Sequence, residues 1–199
     1  EKAYPILDLY LKYDSMATDV HAALAQLAFW EANYAGANKE IDKVLQKDPS
    51  NTTVKQLQHT INKATAPWIR IGGAYNKDDQ PLSYITPSVE TGMYLSKIGF
   101  LDLSYRALLF NKDDTSFSGH LIKAGITIPF NKGKDKIALH GGAAVLPDNC
   151  IQFTGDLDYS KKIGHIVTAG LHIAHEPYLL TRSNLDNPFM QIHYNLSLD

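Results

Sequence analysis

The sequence predicts an α+β protein, with N-terminal helical repeat hairpins followed by an antiparallel up-and-down β-barrel of roughly eight strands. Three observations carry this. Apolar residues recur at helical spacing up to Pro67 and alternate after it, and a change of hydrophobic period at a proline marks a boundary. Met190, Ile192, Tyr194, Leu196 and Leu198 alternate with Gln191, His193, Asn195 and Ser197; successive strand side chains point to opposite faces, so one face is apolar and the other polar. The connectors between strands alternate long and short, as in outer-membrane barrels. The expected division is 1–66, a helical repeat segment, and 67–199, the barrel.

Four helices are expected in the first part. Tyr4 to Lys12 carries Ile6, Leu7, Tyr10 and Leu11 on one stripe, and Asp14-Ser15 ends it. Asp19 is placed to cap a second helix through His21-Ala22-Ala23-Leu24 to about Glu31. Asn33-Tyr34-Ala35-Gly36 reads as a turn. Ala37 to Gln46 turns Ile41, Val44 and Leu45 inward, and Asp48-Pro49-Ser50-Asn51 stops it. Thr52 to Ala64 carries Val54, Leu57 and Ile61.

The strands are expected at Trp68–Asn76, Ser83–Leu95, Gly99–Phe110, Ser118–Phe130, Lys136–Val145, Ile151–Ser160, His165–His175 and Phe189–Leu198. Each has an apolar face, for example Leu101, Leu103, Tyr105, Ala107 and Leu109, or Val167, Ala169, Leu171 and Ile173. The opposite face carries Arg70, Glu90, Asp102, Arg106, Lys123, His140, Asp156, Asp158, His172 and His193, joined by Ser104, Thr127, Lys136, Gln152 and Thr168. A soluble sandwich puts those charges in water; a small membrane barrel packs them as a paired polar lumen.

The long connectors are Lys77–Leu82, Asn111–Phe117 and Glu176–Pro188, with Leu146–Cys150 intermediate. The short ones are Ser96-Lys97, Asn131–Lys134 and Lys161–Gly164. With the helices in the periplasm, the first strand runs outward and every long connector falls outside. Trp68, Tyr75, Phe110, Phe130, Phe153, Tyr159 and Phe189 near strand ends suit an interfacial girdle.

Composition narrows the function classes. A net charge of -2 over 199 residues, with no Lys/Arg patch interleaved with aromatics, argues against nucleic acid. No apolar run approaches the ~20 residues of a membrane helix; strands of a membrane barrel need only ~10, half of them polar. Glu1-Lys2-Ala3 opens into folded-looking sequence without a signal peptide, which suits a mature chain, a fragment or a cytosolic protein. Cys150 is the single cysteine, so no intrachain disulfide forms, and its place beside Pro147-Asp148-Asn149 suits a small apolar filler.

No enzyme is expected. His172 and His175 point to opposite strand faces, and no Cys/His cluster has zinc spacing, so neither metal nor cofactor is assigned. Gly72-Gly73 and Gly141-Gly142 lie within strands, without the strand-to-helix context of a phosphate loop. Asp78-Asp79 and Asp113-Asp114 sit in matching Asn-Lys-Asp-Asp loops and read as solvated charge. Asp156 and Asp158 share a face; an acid/base pair is one reading, ion pairing with a lumen Lys or Arg the favoured one.

His21 to Asn51 resembles a tetratricopeptide repeat, through Leu24, Ala25, Tyr34, Ala37, Ile41, Val44, Leu45 and Pro49. His21 stands where that family has an aromatic, and Ala32 where it has a turn glycine. The preceding helix is similar to the second helix of an earlier repeat, as in a chain cut from a longer array. A repeat leading into a C-terminal barrel resembles the exopolysaccharide export porins, above all the porin component of cellulose synthase operons. Gly155–Lys162, Gly170–Ile173 and Asn187–Tyr194 carry that likeness. It implies a bacterial outer-membrane location, lipid around the barrel, an envelope or periplasmic protein on the helices, and exopolysaccharide as a partner. Those porins have about sixteen strands, whereas an eight-stranded barrel is filled by its own side chains. The implied role is therefore anchor, scaffold or accessory porin. The alternatives are a soluble interaction module with a β-sandwich or lipocalin-like ligand-binding barrel, or one member of an extracellular assembly.

Overall fold

The computed structural model describes residues 3–15, 17–77, 82–96, 98–112, 115–146, 151–163, 167–178 and 189–198. Side chains from Glu176 onward lie outside this description, as do the expected sites at Asp78-Asp79, Asp113-Asp114 and Cys150. Contacts divide the chain into a helical unit, 1–66 with Pro129–Lys134, and a β unit formed by the rest.

The helical unit contains α1 (Ala3–Tyr13), α2 (Thr18–Trp30), α3 (Tyr34–Lys47) and α4 (Thr52–Thr65). Its core is Ala25, Ala28, Ala37, Ile41, Val44, Val54 and Ile61, with Phe29, Tyr34, Leu45 and Leu57 packed against it. Alanines where α2 meets α3 let the helix backbones approach closely, and the branched side chains of α3 and α4 fill the space beyond. Leu24 is also buried.

Several local expectations need correction. Asp19 does not cap α2: Ala17 holds the cap position without a side-chain hydrogen bond, and Asp19 lies in the first turn. The helix α3 starts earlier than expected because Asn33 caps it, its Oδ1 accepting from the Gly36 amide at 2.9 Å. The turn before it is carried by Ala32, at φ 56°. Asn51 caps α4 by accepting from the Val54 amide at 3.1 Å. Pro49 is exposed; it stops α3 and packs against nothing in the core. The stripe on α1 buries no residue, and Ile6 and Tyr10 are more than half exposed. An apolar stripe needs an element to cover it; α1 packs beside α2, and its Tyr4 hydroxyl donates to Glu31 at 2.9 Å with the Lys132 ammonium over its ring.

The β unit contains β1 (Trp68–Gly72), β2 (Tyr75–Lys77), β3 (Leu82–Ile85), β4 (Ser88–Leu95), β5 (Gly99–Lys112), β6 (Thr115–Phe130), β7 (Asp135–Val145), β8 (Ile151–Ile163), β9 (Val167–Tyr178) and β10 (Phe189–Leu198). All belong to one antiparallel up-and-down sheet, in the order β1-β4-β5-β6-β7-β8-β9-β10, with β2 and β3 completing the first two strands. The interruptions at Gly73-Ala74 and Thr86-Pro87 do not shift the register: Gly72 pairs with Ser88 and Tyr75 with Ile85. Pro87 has no amide hydrogen to give the ladder. Its carbonyl still accepts from the Ala107 amide at 3.0 Å, and the Thr86 amide donates to the Ala74 carbonyl at 2.9 Å. Eight long strands therefore run as expected.

Two features depart from the expected barrel. The sheet is open: among the described residues β1 and β10 are its two edges and do not pair. The Asn111–Phe117 connector is not long, because the β5–β6 ladder continues to Lys112 opposite Thr115 and leaves only Asp113 and Asp114 between the strands. Polar residues near a strand end satisfy a ladder as well as apolar ones do, so composition did not reveal the extension.

The two faces of the sheet have unequal fates. On one lie Ile69, Ile71, Val89, Leu103, Ile122, Leu139, Phe153, Leu171 and Ile173, all well exposed, with Ile122 at 52% and Phe153 at 81%. The other holds most of the buried residues, among them Phe110, Leu121, Lys123, Ala144, Thr154 and Ala174, while Ala107 and Asp135 are buried at positions of the first face. Water-soluble sheets bury the apolar face; here the apolar face is the open one.

Candidate functional site on the polar face of the sheet

Antiparallel register brings the charged residues of neighbouring strands together. Glu90 lies opposite Arg70 on one side and Ser104 on the other. Ser104 is opposite Lys123, and Asp102 opposite Gly125. His140 is opposite Asp156, and Asp158 opposite His172. Cross-strand neighbours of this kind have Cβ atoms about 5 Å apart, close enough for ion pairs.

The centre is the Lys123–Asp156 pair, Nζ to Oδ1 at 2.6 Å, with both side chains about nine-tenths buried. The other Asp156 oxygen, Oδ2, faces His140 Nδ1 at 2.5 Å. The second His140 ring nitrogen, Nε2, lies 3.5 Å from Asp102 Oδ2. One strand further along, His172 Nδ1 sits 2.6 Å from Asp158 Oδ1. Arg70 donates to Glu90 at 3.1 Å and lies over the Trp68 ring, 5.3 Å from its centroid. Trp68, Glu90, Asp102, Ser104, Arg106, Lys123, His140 and Asp156 together line a recess of about 310 Å³.

Glycines make room for this arrangement. A Cβ on Gly125 would overlap the His140 ring, and one on Gly92 would stand 2.8 Å from the Trp68 ring. Each glycine thus leaves space for one large side chain on the neighbouring strand.

Nine of the ten expected polar-face residues, Arg70, Glu90, Asp102, Arg106, Lys123, His140, Asp156, Asp158 and His172, are placed on this face. The tenth, His193, pairs through its backbone with Ala174, and its side chain lies outside the description. Trp68 and Phe110 were expected in an outward girdle and belong to this face instead. Trp68 shares its parity with Arg70 and lines the recess. Phe110 is 3% exposed and forms an apolar cluster with Leu121, Ala144 and Leu146, flanked by Tyr84, Leu108 and Phe117. The even spacing from Trp68 to Arg70 signalled the first correction. The second needed the register, because Phe110 lies at a strand end where either face is open to an aromatic.

Comparison with known proteins finds no family model, no curated protein and no solved structure that matches this chain. No helix among the described residues is long and apolar enough to cross a membrane, which leaves strands untested. Function therefore rests on the physical chemistry of the two faces.

Proposed function

We propose that this chain is a bacterial outer-membrane protein that crosses the bilayer with its strands and carries its helices in the periplasm. In this reading it acts as an anchor, scaffold or accessory porin in envelope assembly or exopolysaccharide secretion. One observation carries the proposal: the apolar face of the sheet is the open one, while the charged face holds the buried, paired residues. Exposing Leu, Ile and Phe along a whole sheet is unfavourable in water, at roughly 25 cal/mol per Å² of apolar surface. In lipid the same exposure carries no such cost, and a polar interior is the ordinary arrangement.

The outward face also carries polar side chains, among them Thr91, His120 and His175. His120 lies there with its Nδ1 2.8 Å from the Tyr105 hydroxyl, so a polar group is partnered within the sheet. Open edges at β1 and β10 need a partner in hydrocarbon, because unpaired amides and carbonyls have no water there. Since β1 and β10 run in opposite directions, antiparallel joining of the two completes an eight-stranded barrel. Its interior is filled by side chains such as Lys123, Asp156 and Phe110, so anchoring is favoured over polymer export. The tetratricopeptide-like hairpin α2–α3 supplies the partner-binding part of the scaffold role.

Fractionation tests this. The full chain, directed to the periplasm of a bacterial host, is expected in the outer-membrane pellet, and released only by detergent. Recovery as a monodisperse protein in detergent-free buffer would refute the proposal and favour a soluble binding module.

A further inference from the structure

We infer that the polar face binds a zinc-class divalent transition-metal ion through His140, Asp156 and Asp158. One ring nitrogen of His140 and one carboxylate oxygen from each aspartate already lie within 4.8 Å of one another. Ligands at about 2.1 Å in a tetrahedral zinc site stand about 3.4 Å apart, so the site closes when Asp158 draws in and the short His140–Asp156 contact opens around the metal.

The surrounding hydrogen bonds are arranged as the outer layer of a metal site. Asp156 gives its Oδ1 to Lys123, which leaves Oδ2 on the His140 side. Asp158 gives its Oδ1 to His172, which leaves its other oxygen. Of the two His140 ring nitrogens, Nε2 faces Asp102 and Nδ1 faces Asp156. A carboxylate behind a ligating imidazole fixes its tautomer and raises its basicity. Metal at Nδ1 then takes the place of the proton now shared with Asp156. That proton goes to solvent, no bond other than N–H is broken, and nothing is oxidised or reduced.

Charge and donor type select the ion. Asp102, Asp156 and Asp158 against Lys123 leave two negative charges in this cluster, which a divalent cation neutralises. An imidazole with two carboxylates and no thiolate suits zinc, nickel or cobalt. Calcium requires at least six oxygens, which these residues do not present. The ligands and their partners all lie on β5 to β9, so the site stands whether or not the outward face meets lipid.

The test is titration of the purified, chelator-treated full chain with Co²⁺, read by visible absorption, and with Zn²⁺, read by calorimetry. Expected are one Co²⁺ per chain with visible ligand-field bands, Zn²⁺ competition for it, and net proton release. Asp158→Asn keeps the size of a half-exposed side chain and is expected to fold and to weaken binding at least tenfold. His172→Gln is expected to weaken it by roughly ten- to a hundredfold through Asp158 alone. Should a variant fail to fold, histidine side-chain ¹⁵N spectra of the unaltered chain decide: Zn²⁺ must move the His140 Nδ1 resonance. Absent Co²⁺ bands, binding unchanged in folded Asp158→Asn, or shifts confined to other histidines would overturn the assignment. Loss of metal binding with detergent-dependent folding intact separates this failure from failure of the membrane proposal.

Discussion

Leu139 and Ala138 are neighbours on β7 with opposite environments, and an arginine at each distinguishes lipid from water. Leu139 is 49% exposed on the apolar face, in the middle of the β7–β8 ladder opposite Leu157. Ala138 lies on the polar face opposite Asp158. In a bilayer, Arg at a midplane lipid-facing position costs about 2–4 kcal/mol. At about 1.4 kcal/mol per tenfold, Leu139→Arg lowers the folding equilibrium constant by roughly 30- to 700-fold. In water, a half-exposed leucine loses about half of a full burial increment of ~2 kcal/mol, giving about 1 kcal/mol. Ala138→Arg places its guanidinium beside the half-exposed Asp158 carboxylate and is expected to cost less than Leu139→Arg in lipid, through fit on the polar face and not through exposure to hydrocarbon. The assay is urea-dependent folding into lipid vesicles, followed by tryptophan fluorescence and by the change in electrophoretic mobility of unheated samples. Equal or smaller cost at Leu139 than at Ala138 would refute the lipid-facing assignment.

Other outcomes follow from the same structure. Ile41 is fully buried in the core of the helical unit, so Ile41→Ala is expected to lower the stability of that unit by about 2–5 kcal/mol in denaturant melts. Ala32 holds a left-handed turn at φ 56°, a conformation that costs a residue with a Cβ about 1 kcal/mol. Ala32→Gly is therefore expected to raise the melting temperature of the helical unit, and a fall would contradict it. A Cβ on Gly142 would collide with the Ile122 carbonyl oxygen, so Gly142→Ala is expected to force β6 and β7 apart and cost about 1–3 kcal/mol. Unchanged folding in vesicles would count against that packing.

A pH dependence resides in the helical unit. Burial pushes the Glu40 carboxyl up, but hydrogen bonds from Lys43 and His21, with their charges, outweigh it and hold the group below its ordinary value of 4.5. A carboxyl depressed on folding stabilises above the unfolded value and loses that increment as pH falls through the folded one. Stability of the wild type is thus expected to drop more steeply below about pH 4.5 than that of Glu40→Gln. Parallel pH profiles in thermal melts would remove Glu40 from the account. His21 is held between two acceptors, its Nδ1 facing Glu40 at 2.6 Å and its Nε2 the Ser15 carbonyl at 3.0 Å.

Much of the site was open to a reader of the sequence, and its wiring was partly so. Parity along each strand placed Lys123, His140, Asp156 and His172 on one face. The β7–β8 ladder is symmetric about position 148, which in the sequence is the middle of Pro147-Asp148-Asn149, and this register sets His140 opposite Asp156. The β8–β9 ladder is symmetric about 165, beside Gly164, which sets Asp158 opposite His172. No such mark joins His140 to Asp102, because that contact crosses β6 at Gly125. It depends on a space that a missing side chain leaves, and absence of a Cβ carries no directional signal.

By itself the sequence determined the local order of this protein. The change of period at Pro67, the caps at Asn33 and Asn51 and the alternation in every strand are properties of neighbouring residues, and short-range sterics and hydrogen bonding set them. Only the tertiary structure decided which face became the open one, that Phe110 is buried on the polar face, that α1 leaves its stripe uncovered, and that Asp156 is shared between Lys123 and His140. Those outcomes depend on register and on what lies across the sheet. A strand's alternation states that its two faces differ; which of them is buried is settled by the strands beside it.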